Sequence, residues 1–241
     1  MGKKQKHCDP ADPRDDHCGD YWDHVAYDPE HRLVLAVIPG ARSEENAYAI
    51  VAEVEKRLGG EPPDLMTSDE YPVYEAAILG TFGEPVPPER KPGRPRVVPE
   101  RRAPEGMNYA TVHKHRKNGR VVAVESRRVF GSEEGLAEAL DESCVSYVVN
   151  TSFVERQNGT DRGRNARKAR KTYRFSKDWQ VHEAMTYLTM YGSNFCWAVR
   201  TLRIKDGEGR WKGRSPAMAA GLSDHLWTWC EWFTRPTAQS A

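Results

Sequence analysis

Residues 22–27 (Trp-Asp-His-Val-Ala-Tyr) and 32–38 (Arg-Leu-Val-Leu-Ala-Val-Ile) are two strand-forming runs separated only by Asp28, Pro29, Glu30 and His31. Asp-Pro is a turn signal, and so short a connection returns the second run antiparallel to the first. A hairpin is therefore where any fold of this chain starts. Immediately after Pro39 and Gly40, the segment 43–58 places Ala47, Ile50, Val51, Val54 and Leu58 at three- and four-residue spacings among charged residues. That spacing predicts an amphipathic helix, capped by Ser43 and stopped by Gly59 and Gly60. A short buried strand over 64–68, ending at Asp69, and a helix over 73–79 follow, giving the order β-β-α-β-α.

The remainder is less regular. Prolines interleaved with Arg and Lys fill residues 85–104, which reads as a linker or surface loop. Its fragment Lys91-Pro92-Gly93-Arg94-Pro95-Arg96 has a faint likeness to a minor-groove hook, against the plainer reading of a solvated basic linker. Alternation over 109–115 and 121–129 predicts a second hairpin turning at Asn118-Gly119, and 133–140 reads as a helix. Helical signals return from 151 to about 171 and again over 177–200. The tail 215–235 carries Trp227, Trp229, Trp232 and Phe233, rings suited to a helix that packs on the core or on a second subunit.

With 241 residues and 38% hydrophobic residues, the chain can bury one core with insertions. No apolar run approaches the roughly 18 residues that span a bilayer, and no apolar stretch follows the charges of Met1-Gly2-Lys3-Lys4, so the expected location is the cytoplasm. Five cysteines, scattered and never in a C-x-x-C pair, read as reduced thiols. His7-Cys8 and His17-Cys18 form a repeated pair that either binds zinc or lies in an acidic loop. The net charge of +1 hides a segregation: residues 9–75 are acidic, whereas 90–128 and 156–177 are basic.

Two acids stand out by position. Asp69 ends a strand, where a carboxylate is held rigidly and reaches outward as an oxygen ligand for Mg²⁺; it is equally suited to a plain turn before Glu70-Tyr71-Pro72. Glu155 opens a helix, where it also completes a Ser152-x-x-Glu155 capping box. After it, Arg164, Arg167, Lys168 and Lys171 fall at helical spacing and predict one cationic stripe, with Arg156, Arg162, Arg170 and Arg174 around it. Such a stripe grips phosphates or is simply a solvated face.

Three blocks, in order, resemble a known family. Residues 24–40 resemble the second and third strands of DDE transposases and retroviral integrases; residues 64–75 resemble the strand and loop bearing the second acid, here Asp69. Residues 151–158, continuing through 167–177 to His182-Glu183, are similar to the helix bearing the third acid, here Glu155. The likeness is greatest to InsB-type insertion-sequence transposases and covers about residues 20–80 and 145–200. It implies an α/β, ribonuclease-H-like mixed sheet, DNA cleavage and strand transfer, and two metal ions (Mg²⁺, with Mn²⁺ as an alternative) held by carboxylates.

In that comparison the chain begins at the turn that follows the family's first strand, so the first acid and its strand are expected to be lacking. Asp23 is the best substitute, ahead of Asp20 and Asp28. The implied organisation is a first part of the core over 1–84, a basic Pro-rich linker over 85–107 and an insertion over 108–148. The second part of the core, with the Glu-bearing helix, occupies 149–204, and an aromatic tail 205–241. The expected catalytic and metal-binding residues are Asp69 and Glu155, lying side by side, with Arg156, Arg164, Arg167, Lys168 and Lys171 on DNA. Partners would be DNA and a second copy or an intact transposase. The expected function is a transposase core fragment inactive alone; the alternatives are a DNA-binding or dimerising fragment that modulates an intact enzyme, or a gene remnant.

Overall fold

A computed structural model describes residues 7–9, 11–12, 21–87, 100–169 and 172–235. His17, Cys18, Asp20, the fragment 91–96, Arg170 and Lys171 lie outside them. The protein is α/β, with antiparallel and mixed sheets and several helices. It divides into two compact units, one formed by Met1–Ala41 with Val154–Ala241 and the other by Arg42–Phe153.

In the first unit the expected hairpin is formed by β1 (Tyr21–Asp28) and β2 (Leu33–Ala41), antiparallel with Val25 opposite Val37. Asp28 Oδ1 accepts from Glu30 N at 2.8 Å, the local bond by which an Asp sets a turn.

The second unit begins with α1 (Glu44–Arg57), whose Ser43 cap accepts from Asn46 N and whose buried face is Ala47, Ile50, Val51 and Val54. Gly59 and Gly60 follow with φ of +69° and +90°, the left-handed geometry that ends a helix. β3 (Leu65–Asp69) and α2 (Val73–Phe82) come next. Gly80 of α2 lets that helix approach α1 closely: a Cβ there would sit 2.8 Å from the Tyr48 ring.

The proline-rich segment is bracketed by two short strands, β4 (Glu84–Pro85) and β5 (Arg101–Arg102), paired antiparallel. The second hairpin is β6 (Asn108–Lys117) with β7 (Arg120–Phe130), turning through Asn118 and Gly119 at φ of +52° and +76°, as a two-residue type I′ loop requires. The segment expected as an insertion is part of the sheet, because β6 runs parallel to β3 with Asp69 opposite Val112. The reason is burial: Met107, Tyr109, Ala110 and Val112 supply core that β3 alone cannot. α3 (Glu133–Glu142) closes this unit's regular elements.

Three expectations about the C-terminal half are corrected. The helix predicted from 151 to about 171 ends earlier: α4 spans Ser152–Arg164, and a single 3₁₀ turn, Ala166–Lys168, follows. Asn165, fully buried, leaves helical geometry (φ −96°, ψ 92°), and its side chain accepts from Arg167 N. Gly159 and Gly163 had already weakened the helix, and Asn competes with the helical backbone through its own side chain. Next, α5 (Trp179–Cys196) stops before Arg200, and residues 199–214 form a hairpin of β8 (Val199–Lys205) and β9 (Trp211–Arg214). Finally, the aromatic tail is broken into α6 (Pro216–Ala219) and α7 (Trp229–Thr234), the latter held by a Thr228/Glu231 capping box. No helix among the described residues is long and apolar enough to cross a membrane.

α5 organises the first unit. Met190 joins Val34 and Val37 in a core flanked by Val25, Tyr27, Tyr187 and Tyr191. Asn194 accepts from Val34 N at 3.0 Å and donates to Val34 O at 2.9 Å. One amide thus completes the backbone of β2 much as a neighbouring strand would, and the Tyr191 hydroxyl accepts from Val37 N at 3.1 Å.

Candidate functional site

In the second unit, Asp69 sits at the C-terminal end of β3, which pairs in parallel with β6 in a mixed three-stranded sheet. Its side chain is 53% exposed, and Oδ2 lies 3.2 Å from Arg42 Nη2. The Arg42 guanidinium is placed by Tyr71, whose ring it covers at 4.4 Å and whose hydroxyl donates to the Arg42 carbonyl at 3.2 Å. Burial, with the nearby Asp69 charge adding to it, raises the Tyr74 phenol well above its ordinary value. Tyr109 is also raised, mainly by burial, and its hydroxyl shares a 2.7 Å hydrogen bond with Ser68 Oγ. The acid is thus an open carboxylate with neutral phenols behind it and one guanidinium in front.

Two residues before Asp69, Thr67 Oγ1 donates to the carbonyl of Asn150 at 3.2 Å. That hydrogen bond ties β3 to the segment leading into α4. Asn150 also receives the backbone N–H and the hydroxyl of Ser152 at 3.1 and 2.6 Å. Ser152 is the first residue of the helix. Glu155 lies in the first turn of α4 with an exposed side chain. Asp69 belongs to the second unit and Glu155 to the first.

The predicted cationic stripe is rearranged by the end of α4. Arg156 and Arg167 are exposed. Arg164 is half-buried with its guanidinium 3.9 Å above the Trp197 ring, and burial, opposed by Asp161, lowers its pKa from the ordinary value. Lys168 departs most from the expectation of binding DNA. Its side chain is only 6% exposed, and its ammonium lies 2.5 Å from Asp161 Oδ2 and 2.9 Å from Asp23 Oδ2.

Nothing in the sequence pattern announces this ion-paired cluster as a whole. Asp161 Oδ1 accepts from Thr189 Oγ1 at 2.6 Å, and Asp23 Oδ1 is 3.4 Å from His182 Nε2. Trp179 stacks with Tyr21 (4.5 Å) and with His182 (5.5 Å). Burial alone would raise the Asp23 carboxyl, but the His182 hydrogen bond and the Lys168 charge together hold it below its ordinary value. The one visible sequence signal is the helical spacing of Asp161 and Lys168. Asp23, expected as the substitute for a first metal-binding acid, is committed to Lys168 and His182.

Among the described residues, no group of three or more His, Cys, Asp and Glu side chains is arranged to hold a metal ion. With Asp69 facing Arg42 and Asp23 locked to Lys168, these residues do not by themselves fit a two-ion Mg²⁺ site. His7 and Cys8 are described, but their partners in the repeated pair are not.

Comparison with known proteins yields no match to a family model, to a curated protein or to a solved structure.

Proposed function

We propose that this chain is a DDE-type insertion-sequence transposase core with a ribonuclease-H-like fold and DNA as its substrate, in which Asp69 stands as the family's second acid and Glu155 as its third. The observation that carries the reading is the setting of Asp69. The residue resembling the family's second acid is an exposed carboxylate at the C-terminal end of a strand in a parallel pair. Rigid strand ends are where α/β proteins present polar groups to ligands.

What the chain itself supplies is two carboxylates and a cationic surface. Arg156 and Arg167 would hold phosphates without reading sequence. Among the described residues Asp23, the expected substitute for the remaining acid, is held by Lys168 and His182, so the chain alone is expected to bind DNA without cutting it.

The test compares the chain as it stands with a form extended at its N-terminus by an Asp-bearing strand, using Mg²⁺ or Mn²⁺ and DNA carrying element ends. Strand transfer by the extended form, lost in Asp69→Asn and in Glu155→Gln, is the expected result. Transfer that survives both substitutions would remove these acids from the chemistry, and transfer by the unextended chain would overturn its inactivity. A second reading, a DNA-binding module that modulates an intact transposase, draws support from the Arg42–Asp69 ion pair, since a guanidinium there occupies the carboxylate a metal would need.

A further inference from the structure

The β6–β7 hairpin extends past the sheet that anchors it. β3 pairs with β6 only as far as Val112, opposite Asp69. From His113 onward β7 alone continues beside β6, out to Lys117 opposite Arg120. Burial changes at the same point: Asn108 to Val112 are buried, Arg116 and Lys117 are exposed, and β7 is exposed from Arg120 through Arg128. The far half is a two-stranded ribbon about 16 Å long, five residues at roughly 3.3 Å each, rooted beside Asp69.

This ribbon is cationic. Residues 114–128 contain Lys114, Arg116, Lys117, Arg120, Arg127 and Arg128 against a single acid, Glu125. That acid is paired with His115 at 3.0 Å, and Glu70, at the ribbon's root, is paired with His113. Cross-strand register puts Lys117, Arg120 and Arg127 on one face, and Lys114 and Arg116 on the other beside Val121 and Val124. Cations that only protected an edge strand from pairing would be needed on β7; here half of them lie on β6.

We infer that this ribbon is a DNA-binding arm that enters the major groove of B-form duplex. The groove, about 12 Å wide and 8.5 Å deep, admits a two-stranded ribbon and is walled by phosphates on both sides, which matches cations on both faces. The exposed valines Val121, Val122 and Val124, at 44%, 62% and 56%, suit packing against thymine methyl groups. The extra residue at the irregularity between His115 and Arg116 is Val122, and a bulge there adds twist to the ribbon. The inference rests on the reading of DNA as the partner, and it requires no metal.

The experiment measures binding of the full chain to a labelled B-form duplex by fluorescence anisotropy over a series of salt concentrations without divalent metal. A variant combining Arg116→Ala, Lys117→Ala and Arg120→Ala should reduce the slope of log affinity against log salt by about 2.7, close to 0.9 for each phosphate no longer neutralised. Thermal unfolding of the variant should match that of the parent, since all three side chains are exposed. The weakening should be confined to B-form DNA, because the deep, narrow major groove of an A-form RNA duplex excludes the ribbon. An unchanged slope on DNA overturns the arm while leaving the transposase reading intact. An equal weakening on RNA duplex, single strands and anionic vesicles replaces it with a general polyanion surface. Failure of the parent chain to bind duplex at all would remove both the arm and DNA as partner, whereas failure of strand transfer in the extended form touches only the reading of the acids.

Discussion

Lys168 looks in the sequence like one more cation of a stripe, and its neighbours Arg167 and Arg170 encourage that view. In the folded protein it lies between two carboxylates, Asp23 and Asp161, with almost no solvent. Removing one partner of a buried ion pair leaves an uncompensated charge, which typically costs about 3–5 kcal/mol. Lys168→Met is accordingly expected to lower the unfolding free energy by about that amount, read from denaturant midpoints, whereas Arg167→Met should change it by less than about 0.5 kcal/mol. If the two variants were equally stable, the buried pair would not be holding this unit together.

Asp23 adds a pH dependence of definite sign. Its folded pKa lies below its ordinary value, so the stability it contributes is complete above about pH 4, the ordinary carboxylate pKa, and is lost as pH falls through the lower, folded value. Acid unfolding of Asp23→Asn should therefore show a shallower loss of stability below about pH 4 than the parent. A parallel acid limb in the two proteins would place the linkage elsewhere.

Among the elements, α5 carries more of the first unit than its length suggests. It supplies Met190 to the core, His182 and Thr189 to the ion-paired cluster, and Asn194 to the edge of β2. Asn194→Ala leaves the Val34 N–H and C=O buried without that amide, at about 1–3 kcal/mol for each unsatisfied group. The expected result is a destabilisation of several kcal/mol together with faster amide exchange at Val34 than at residues of α1. Val34 protection unchanged from the parent would mean that β2 does not depend on the helix. α7 is seated on the same helix: a Cβ at Gly192 would come within 2.6 Å of the Trp229 ring, which accounts for a glycine inside an otherwise regular helix.

At the scale of the whole molecule, the basic residues sort into two kinds. Arg156 and Arg167 are exposed in the first unit, as are Arg116, Lys117 and Arg120 in the second, and all are open to a polyanion; Lys168 and Arg164 are engaged within the protein. Arg156→Ala with Arg167→Ala is expected to lower the salt slope of duplex binding by about 1.8, at about 0.9 per phosphate, without loss of stability. Lys168→Ala should instead unfold the first unit before it alters any slope. A Lys168 variant that is fully folded, with a reduced slope, would return that residue to the DNA-binding surface.

Local chemistry written in the sequence was enough for the elements whose signals are short-ranged. The Asp28-Pro29 turn, the Ser43 cap, the paired glycines after α1 and the Asn118-Gly119 turn each act within a few residues, and each forms as the sequence reads. The position of Asp69 at a strand end was likewise legible, because strand and turn signals meet there. What tertiary structure decided were the features that depend on partners far along the chain. The 108–117 strand joins β3 because both need a shared core. α4 ends at Asn165 because burying Lys168 against Asp23, 145 positions earlier in the sequence, stabilises a backbone that helical spacing alone would not choose. Periodicity reports only which residues could share a face; whether a cation on that face meets solvent or a buried carboxylate is set by what the rest of the chain packs against it.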